Sequence, residues 1–562
     1  MMENKKLLKK ESQIFFGGMF LLFAVFIWRQ FYGFNKNDEI FYISTVYRFF
    51  QGDAMLVDEW NNVQLFAFIT YPLYCVIRLF HNSNEGIVLI FRIAYLIFQA
   101  AAASYCYWRL KRFGWLRILP AFFYFVTTPY NINSLSYNTL ALGFVLLVLV
   151  TLSGPDHFKV MDSILCGIFT AGAVLANPYA VILFIVYGFI CAGISFYSYK
   201  RKRALIPILS FQHYFWMGMG AFLIFVLFVL FVFSRGSLEE ILDGFSYIVM
   251  DSERQKSFWE KFVKYFIRIH RYYRVLVYVT GILILFWFID RNRKKKKISP
   301  SVYLAADIFT AVPYIIYYGF FWDMVGINYM LVPLAFPGMI AYMVSEEKDK
   351  RLFFGWYVPG LFYTLLAHFA TNTGILTVSA SYMIVSAASI LLIWKAIDEQ
   401  GKMAGLRFLA CILLTVQLLA CVYQRIVYVW GDAPLPHLTY KLREGPLKGI
   451  CTSEENDSLY KDVLQDMEEL CFTSEDRLFV IGIAPWMYLN TEAECAAYST
   501  WETLETDPLI RVYYEIHPEK LPTVIYCYGY KEDILETEFA YEFINMGYKP
   551  VSMRRGIVLT HR

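Results

Sequence analysis

The chain has 562 residues, 58% of them hydrophobic and 19% aromatic, with 17% charged and a net charge of +4. Soluble globular chains carry about a quarter charged residues, so this composition, with a mean hydropathy of +0.44, excludes an ordinary soluble enzyme. Repeated apolar runs of about 20 residues define an all-α polytopic membrane protein. The ten cysteines show no CxxC or Cys/His spacing for zinc. No Gly-rich phosphate loop, HExxH or Ser/His/Asp order occurs, and the lysine run Lys294–Lys297 is a topology marker. Neither soluble-nucleotide chemistry nor nucleic-acid binding has support.

In chain order, Lys5, Lys6, Lys9 and Lys10 precede an apolar run over 14–31. Lysines flanking a first span stay cytoplasmic, and no small-residue cleavage site follows, so the run is read as a retained span. Residues 32–85 form a first outer loop with amphipathic helices at about 38–51 and 63–80. The second, which contains Tyr71-Pro72, is apolar enough to resemble a span. Crossing would deliver Arg109, Lys111, Arg112 and Arg117 outside; lying along the interface keeps them inside, and the interfacial arrangement is preferred.

Further spans follow at about 86–108, 117–130, 138–153, 162–177, 178–198 and 211–233. A second amphipathic outer loop covers 234–265, and an eighth span over 272–289 ends at the basic run 291–297. Five more spans lead to Trp430. The total is thirteen, with every dense Lys/Arg cluster on one side, the N-terminus inside and the chain after Trp430 outside. Composition changes at Gly431. Residues 432–437 read as a linker in a soluble 431–562 region, a small extracytoplasmic α/β domain. There a helix is expected at 453–470, strands at 477–483 and 522–528, a helix at 532–546 and a strand at 556–559. Cys451, Cys471, Cys495 and Cys527 lie in this region, where a disulfide is compatible with an outer location but cannot be paired from sequence.

The chemistry-bearing candidates gather on the expected outer side. Asp38-Glu39 opens the first loop helix. The plain reading is a pair of helix N-terminal acids after an Asn37 cap; the functional one is a catalytic carboxylate, partly desolvated beside Phe41, Tyr42 and Tyr47, hence a better base. Asp53, Asp58 and Glu59 form a second acidic group, either a second site carboxylate or a solvated cap. Arg92 lies in the outer third of a span, where it either snorkels or faces a cavity. Arg268, His270, Arg271 and Arg274 crowd the outer end of the eighth span, to hold a lipid phosphate or to contact headgroups. Tyr137-Asn138, Asn177-Pro178 and Asn328-Tyr329 fall at outer turns, and His368 reads as structural.

Four of these features together resemble the GT-C glycosyltransferase superfamily, in particular bacterial relatives of protein O-mannosyltransferases and of the lipid A aminoarabinose transferase. They are Asp38-Glu39 before an interfacial helix, the Tyr71-Pro72 helix leading to Arg92, the short hairpin turning at Leu175-Ala176-Asn177-Pro178, and thirteen spans followed by an outer domain. The match covers about the first 200 residues and continues only as topology; a Lys-Pro-Pro-like lead-in to the second loop helix is missing. The resemblance implies a sugar donor on a polyprenyl phosphate, an acceptor from the outer aqueous side, and inversion at the anomeric carbon. It implies Asp38, with Glu39 beside it, as the catalytic carboxylate, and Arg92, Arg271 and Arg274 on the donor phosphate. Asp58, Glu59, Tyr137 and Asn138 would form an acceptor-side group. No cofactor is implied for a monophosphate donor; a diphosphate donor would bring a divalent metal, with Asp58 as a ligand. The alternatives are a transporter of lipid-linked sugars and an inactive envelope-binding scaffold.

Overall fold

The computed structural model describes residues 2–154, 159–201, 209–249, 257–292, 298–322, 328–371, 374–399, 404–501 and 503–562. The helices in order are α1 (Met2–Gln30), α2 (Asp38–Gln51), α3 (Phe66–Phe80), α4 (Ile87–Arg109), α5 (Ile118–Val126), α6 (Tyr137–Ser153), α7 (Val160–Ala176), α8 (Ala180–Arg201), α9 (Phe211–Phe233), α10 (Leu238–Val249), α11 (Phe258–Arg291), α12 (Pro300–Ile316) and α13 (Ala335–Val344). Then come α14 (Lys350–Leu352) and α15 (Val358–Phe369), joined by a π-turn, α16 (Ile375–Glu399) and α17 (Ala404–Val427). Caps set several starts: Ser136 and Thr139 close a capping box on α6, and Ser210 and Ser257 cap α9 and α11.

Among the described residues, nine helices are long and apolar enough to cross a bilayer: Lys10–Gln30, Ile87–Arg109, Ala180–Lys200, Phe211–Phe233, Phe258–Arg291, Pro300–Phe321, Lys350–Phe369, Ile375–Glu399 and Ala404–Val427. The chain is a multi-pass helical membrane protein. The spans expected at 138–153 and 162–177 are helices of 17 residues each, about 25 Å long, and the one expected at 117–130 holds a helix of only 9 residues. The eighth differs in the other direction. α11 runs 34 residues from Phe258, with a dihedral break at Tyr273, where that span was expected to begin. Arg268 and Arg271 therefore lie on the helical segment before this break and Arg274 just after it.

Small residues let the helices close. A Cβ on Gly167 of α7 would overlap the Met217 carbonyl of α9, and one on Gly220 would overlap the Ile164 carbonyl in return. Gly338 of α13 faces Ser389 of α16 in the same way. α16 is the central helix, buried over nearly its whole length, whereas α8, α9 and α11 expose apolar residues such as Phe189, Phe225, Leu230 and Leu285. A soluble protein rarely exposes apolar faces of this extent; in a bilayer they are lipid-facing.

One end of the helical body is laced by ion pairs: Arg117–Glu11 at 2.7 Å, Arg109–Asp162 at 2.7 Å, Arg112–Asp349 at 3.2 Å and Lys395–Asp349 at 3.9 Å. These contacts collect the basic ends of α1, α4, α7, α14 and α16 on one side.

The opposite end carries the loop and the C-terminal region. Here β1 (Tyr440–Lys441) pairs with β2 (Cys451–Thr452), and α18 (Glu454–Glu469) follows. β3 (Arg477–Ile481), β4 (Glu494–Cys495), α19 (Leu509–Ile516), β5 (Val524–Tyr528), α20 (Glu538–Asn545), β6 (Lys549–Met553) and β7 (Gly556–Thr560) complete it. The sheet order is β4-β3-β5-β7-β6, with β3 parallel to β4 and β5, and β7 antiparallel to β5 and β6. The helix expected at 532–546 is a 3₁₀ turn followed by α20, because Thr537 caps a fresh helix through the Ala540 amide. β6 and α19 have no counterpart in the sequence reading. The four cysteines of this region are free thiols.

The compositional boundary at Gly431 is not a boundary in the core. Apolar residues of α2 and its loop share one continuous cluster with the sheet, including Phe41, Phe49, Trp60, Phe479, Trp486 and Tyr513. Ser44 and Tyr47 donate to the Pro485 and Thr491 carbonyls at 2.8 and 3.0 Å. The expected linker is a joint as well. Asp432 accepts from the Phe34 amide, the Thr452 and Ser453 hydroxyls and the Asn456 amide at 2.5–2.9 Å.

Candidate functional site

α2 starts where the sequence puts it, but Asn37 caps through its backbone alone: its side chain makes no cap bond. What holds the first turn is Arg92 of α4. Its Nε and Nη2 meet the two Glu39 oxygens at 2.6 Å each. Its Nη1 donates to the Gln30 and Tyr32 carbonyls at 2.7 and 3.2 Å, and Nη2 to Gly33 at 2.6 Å. A guanidinium has five N–H donors, and all five are used, partly to satisfy carbonyls that the end of α1 leaves open. Two expectations are thereby corrected. Arg92 has no donor left for a lipid phosphate, and Glu39, buried with both oxygens in a bidentate pair, is an anchor and not a base.

Asp38 is different. Its Oδ2 accepts from the Trp430 indole N–H at 2.8 Å, and its Oδ1 makes no hydrogen bond among the described residues. The side chain is half-buried, and burial raises its pKa to about 6 while the Trp430 bond pulls the other way. Tyr42 lies one turn on; its ring meets Tyr137 at 5.7 Å, and Tyr130 meets Trp430 at 6.1 Å. Tyr130 and Asn131 are both in the left-handed region, at φ 53° and 58°. Such backbone persists only where its surroundings over-determine it: the Tyr130 amide donates to Asn328 at 2.8 Å, and the Asn131 side chain donates to the Gln424, Arg425 and Tyr428 carbonyls at the end of α17. Sequence reading located this turn but assigned no role to Tyr130 or Trp430. Trp430 lies 392 residues from Asp38, and no local pattern connects them.

In the second acidic group, Asp53 and Glu59 are held by ion pairs. Arg48 is wholly buried and pairs with Asp53 and, at 3.0 Å, with Glu59; it also donates to the Asp58 carbonyl and, at 2.9 Å, to the Tyr513 hydroxyl. Lys520 closes on Asp53, and the Thr500 amide donates to Glu59 at 3.3 Å. Asp58 accepts from the Ala54 amide at 2.6 Å. The network pins the loop to the C-terminal region and gives no support to Glu59 as a site carboxylate; the half-buried Asp58 carboxylate stands outside these ion pairs. Arg48 and Lys520, paired with the neighbouring Asp53 and Glu59, oppose a divalent cation at Asp58 by charge.

On α11, Arg271 and Arg274 are exposed, whereas Arg268 is half-buried over Gly374, where a Cβ would overlap its Nη1. Gly374 has φ 72°, so both conformation and contact require glycine. Arg268 makes no hydrogen bond among the described residues and lies near Tyr329 and His368. The exposure of Arg271 and Arg274 leaves Arg268 as the arginine of this cluster turned toward the helical body. His270 bonds Tyr278 at 2.8 Å, and His368 meets the Lys261 carbonyl at 2.9 Å, a packing contact.

Two of the three expected outer turns converge, whereas Asn328 and Tyr329 do not line the cavity they form. Tyr137, Asn138, Asn177, Pro178 and Thr371 line one cavity of about 520 Å³ with Asn62–Leu65 of the loop and Phe245 and Ile248 of α10. Pockets for small ligands run roughly 300–1,000 Å³. Through Tyr137 and Tyr42 the cavity wall reaches the helix that carries Asp38. No family model matches the chain, and no curated protein sequence is significantly similar to it.

Proposed function

We propose that this protein is a GT-C-type membrane glycosyltransferase, moving a sugar from a polyprenyl-phosphate donor to an acceptor on the outer face of the membrane, with inversion and with Asp38 as general base. One observation carries the reading: Asp38 has one oxygen held by Trp430, the other without a hydrogen bond among the described residues, and a pKa raised to about 6. A base poised near the working pH combines the right protonation state with useful basicity. In the reaction, Oδ1 takes the proton of the acceptor hydroxyl as that oxygen attacks the anomeric carbon. The bond from sugar carbon to phosphate oxygen breaks, and its electron pair leaves with the lipid phosphate. Arg268, whose donors make no hydrogen bond among the described residues, steadies that phosphate, while Arg271 and Arg274 face headgroups.

The thirteen-span arrangement, with the N-terminus cytoplasmic and residues 431–562 outside, belongs to the same proposal. It is supported by the ion-paired end, which brings Arg109, Arg112, Arg117 and Lys395 together as the positive-inside rule asks; the basic runs at 202–203 and 293–297 lie outside the described residues. The test is Asp38→Asn in membranes supplied with lipid-linked sugar. Transfer falls by about 10²–10⁴-fold with normal expression; unchanged transfer removes Asp38 from the site.

A transporter is the second reading, favoured by Asp307 of α12. This carboxylate is fully buried in the helical body, with one oxygen bonded to the Thr280 hydroxyl at 2.6 Å and the other unpartnered. Ionisable groups at such depth mark transport pathways. Asp307→Asn leaves sugar transfer intact on the first reading and stops translocation on the second.

A further inference from the structure

Among the described residues, the cavity beside α2 is lined without charge. Of the twenty-two described residues that border it, none is Asp, Glu, Lys, Arg or His. Its polar groups are carboxamides and hydroxyls, from Asn62, Asn138, Asn177, Tyr137, Thr371 and Ser381, set among apolar walls from Val63, Phe245 and Ala380. The helix N-termini at its wall are capped from within the chain: at α6 the Thr139 amide donates to Ser136 Oγ at 3.1 Å and the Ser136 amide to Thr139 Oγ1 at 2.9 Å, and ahead of α8 the Tyr179 amide donates to Asn177 Oδ1 at 3.2 Å. Asn138, in that first turn, is half-buried at the cavity wall and makes no hydrogen bond among the described residues.

A neutral polyol suits such a lining, since hydroxyls exchange hydrogen bonds with amides and the ring faces rest on apolar carbon. An ammonium or carboxylate does not suit it, because a charge moved from water to a site without a counter-charge loses its solvation and recovers little. We infer that this cavity binds the transferred glycosyl group and selects an uncharged sugar, excluding amino sugars and uronic acids. The inference rests on the glycosyltransferase reading and adds the substrate class to it.

The test uses the full-length protein in lipid nanodiscs and three probes sharing one short polyprenyl phosphate, which carry a neutral hexose, an amino sugar or a uronic acid. Binding is read by isothermal titration. The neutral probe is expected to bind at least about tenfold more tightly than either charged one. Asn138→Asp adds a carboxylate in a first helical turn, where acids are tolerated, and is expected to narrow the gap for the amino sugar by about tenfold without helping the uronic acid. Equal or tighter binding of a charged probe by the unmodified protein overturns the inference while leaving the glycosyltransferase reading in place. Binding of none of the three overturns that reading and this inference with it.

Discussion

The two ends of the helical body treat charge in opposite ways. At the basic end, Arg109, Arg112 and Arg117 each meet a carboxylate, and Asp349 takes both Arg112 and Lys395. At the loop end, two tightly closed groups, Arg92–Glu39 and Arg48–Asp53–Glu59, stand beside two open ones, Asp38 and Arg268. Pairing with an opposite charge marks architecture, even where, as at Arg109, two donors are left over among the described residues. A charged group held in position with no opposite charge paired to it among the described residues is a candidate for binding something else. By this criterion the dipeptide Asp38-Glu39 divides: its second residue is paired with Arg92, and its first has no ion-pair partner among the described residues.

The comparison breaks most visibly at Arg48. Arg48→Ala strands Asp53 and Glu59 in the core, and removing one partner of a buried pair costs about 3–5 kcal/mol. Thermal unfolding in nanodiscs, followed by fluorescence of the tryptophans near the joint, should show that loss; an unchanged melt would mean the network is not closed. Glu39→Gln should lower the melting temperature by a similar mechanism, whereas Asp38→Asn should not lower it. The sign follows from linkage: the Asp38 pKa is raised in the folded state, so its ionised form opposes folding above the unfolded-state value, and that cost fades as pH falls through about 6.

A smaller effect separates the arginines of α11. Arg268→Ala should raise KM for a lipid-phosphate donor by about tenfold or more, the weight of a charge-assisted hydrogen bond, while Arg271→Ala should leave it within twofold. The reverse ranking would return the phosphate to the exposed face. Smallest is the effect of Trp430→Phe. Activity should rise with pH through about 6 as Asp38 ionises. Removing the indole N–H withdraws a bond that favours the charged form, so the acid limb should move to higher pH with little change in the plateau. A limb that stays in place would detach it from Asp38.

Much of the molecule is legible in the chain. Apolar periodicity and flanking lysines locate most of the spans, α2 begins and ends at the residues expected, and β3 and β5 fall inside their expected runs, because these depend on neighbours a few residues away. Helix lengths are less legible: α11 extends outward from its apolar stretch because Ser257 caps it early, and β6, exposed along its length, carries no hydrophobic signature. The site lies at the other extreme. Whether Asp38 or Glu39 is the free acid depends on Arg92, 53 residues on, and on Trp430, 392 residues on. Whether Asp53 and Glu59 are chemistry or scaffold depends on Arg48, Tyr513 and Lys520 meeting in one core. The sequence by itself determined the membrane class, the location of the acidic loop and the gathering of basic segments, since hydrophobicity and charge act residue by residue. Only the tertiary structure decided which charges are spent on one another, because pairing is a property of the groups brought together, and long-range contacts leave no periodicity in the chain.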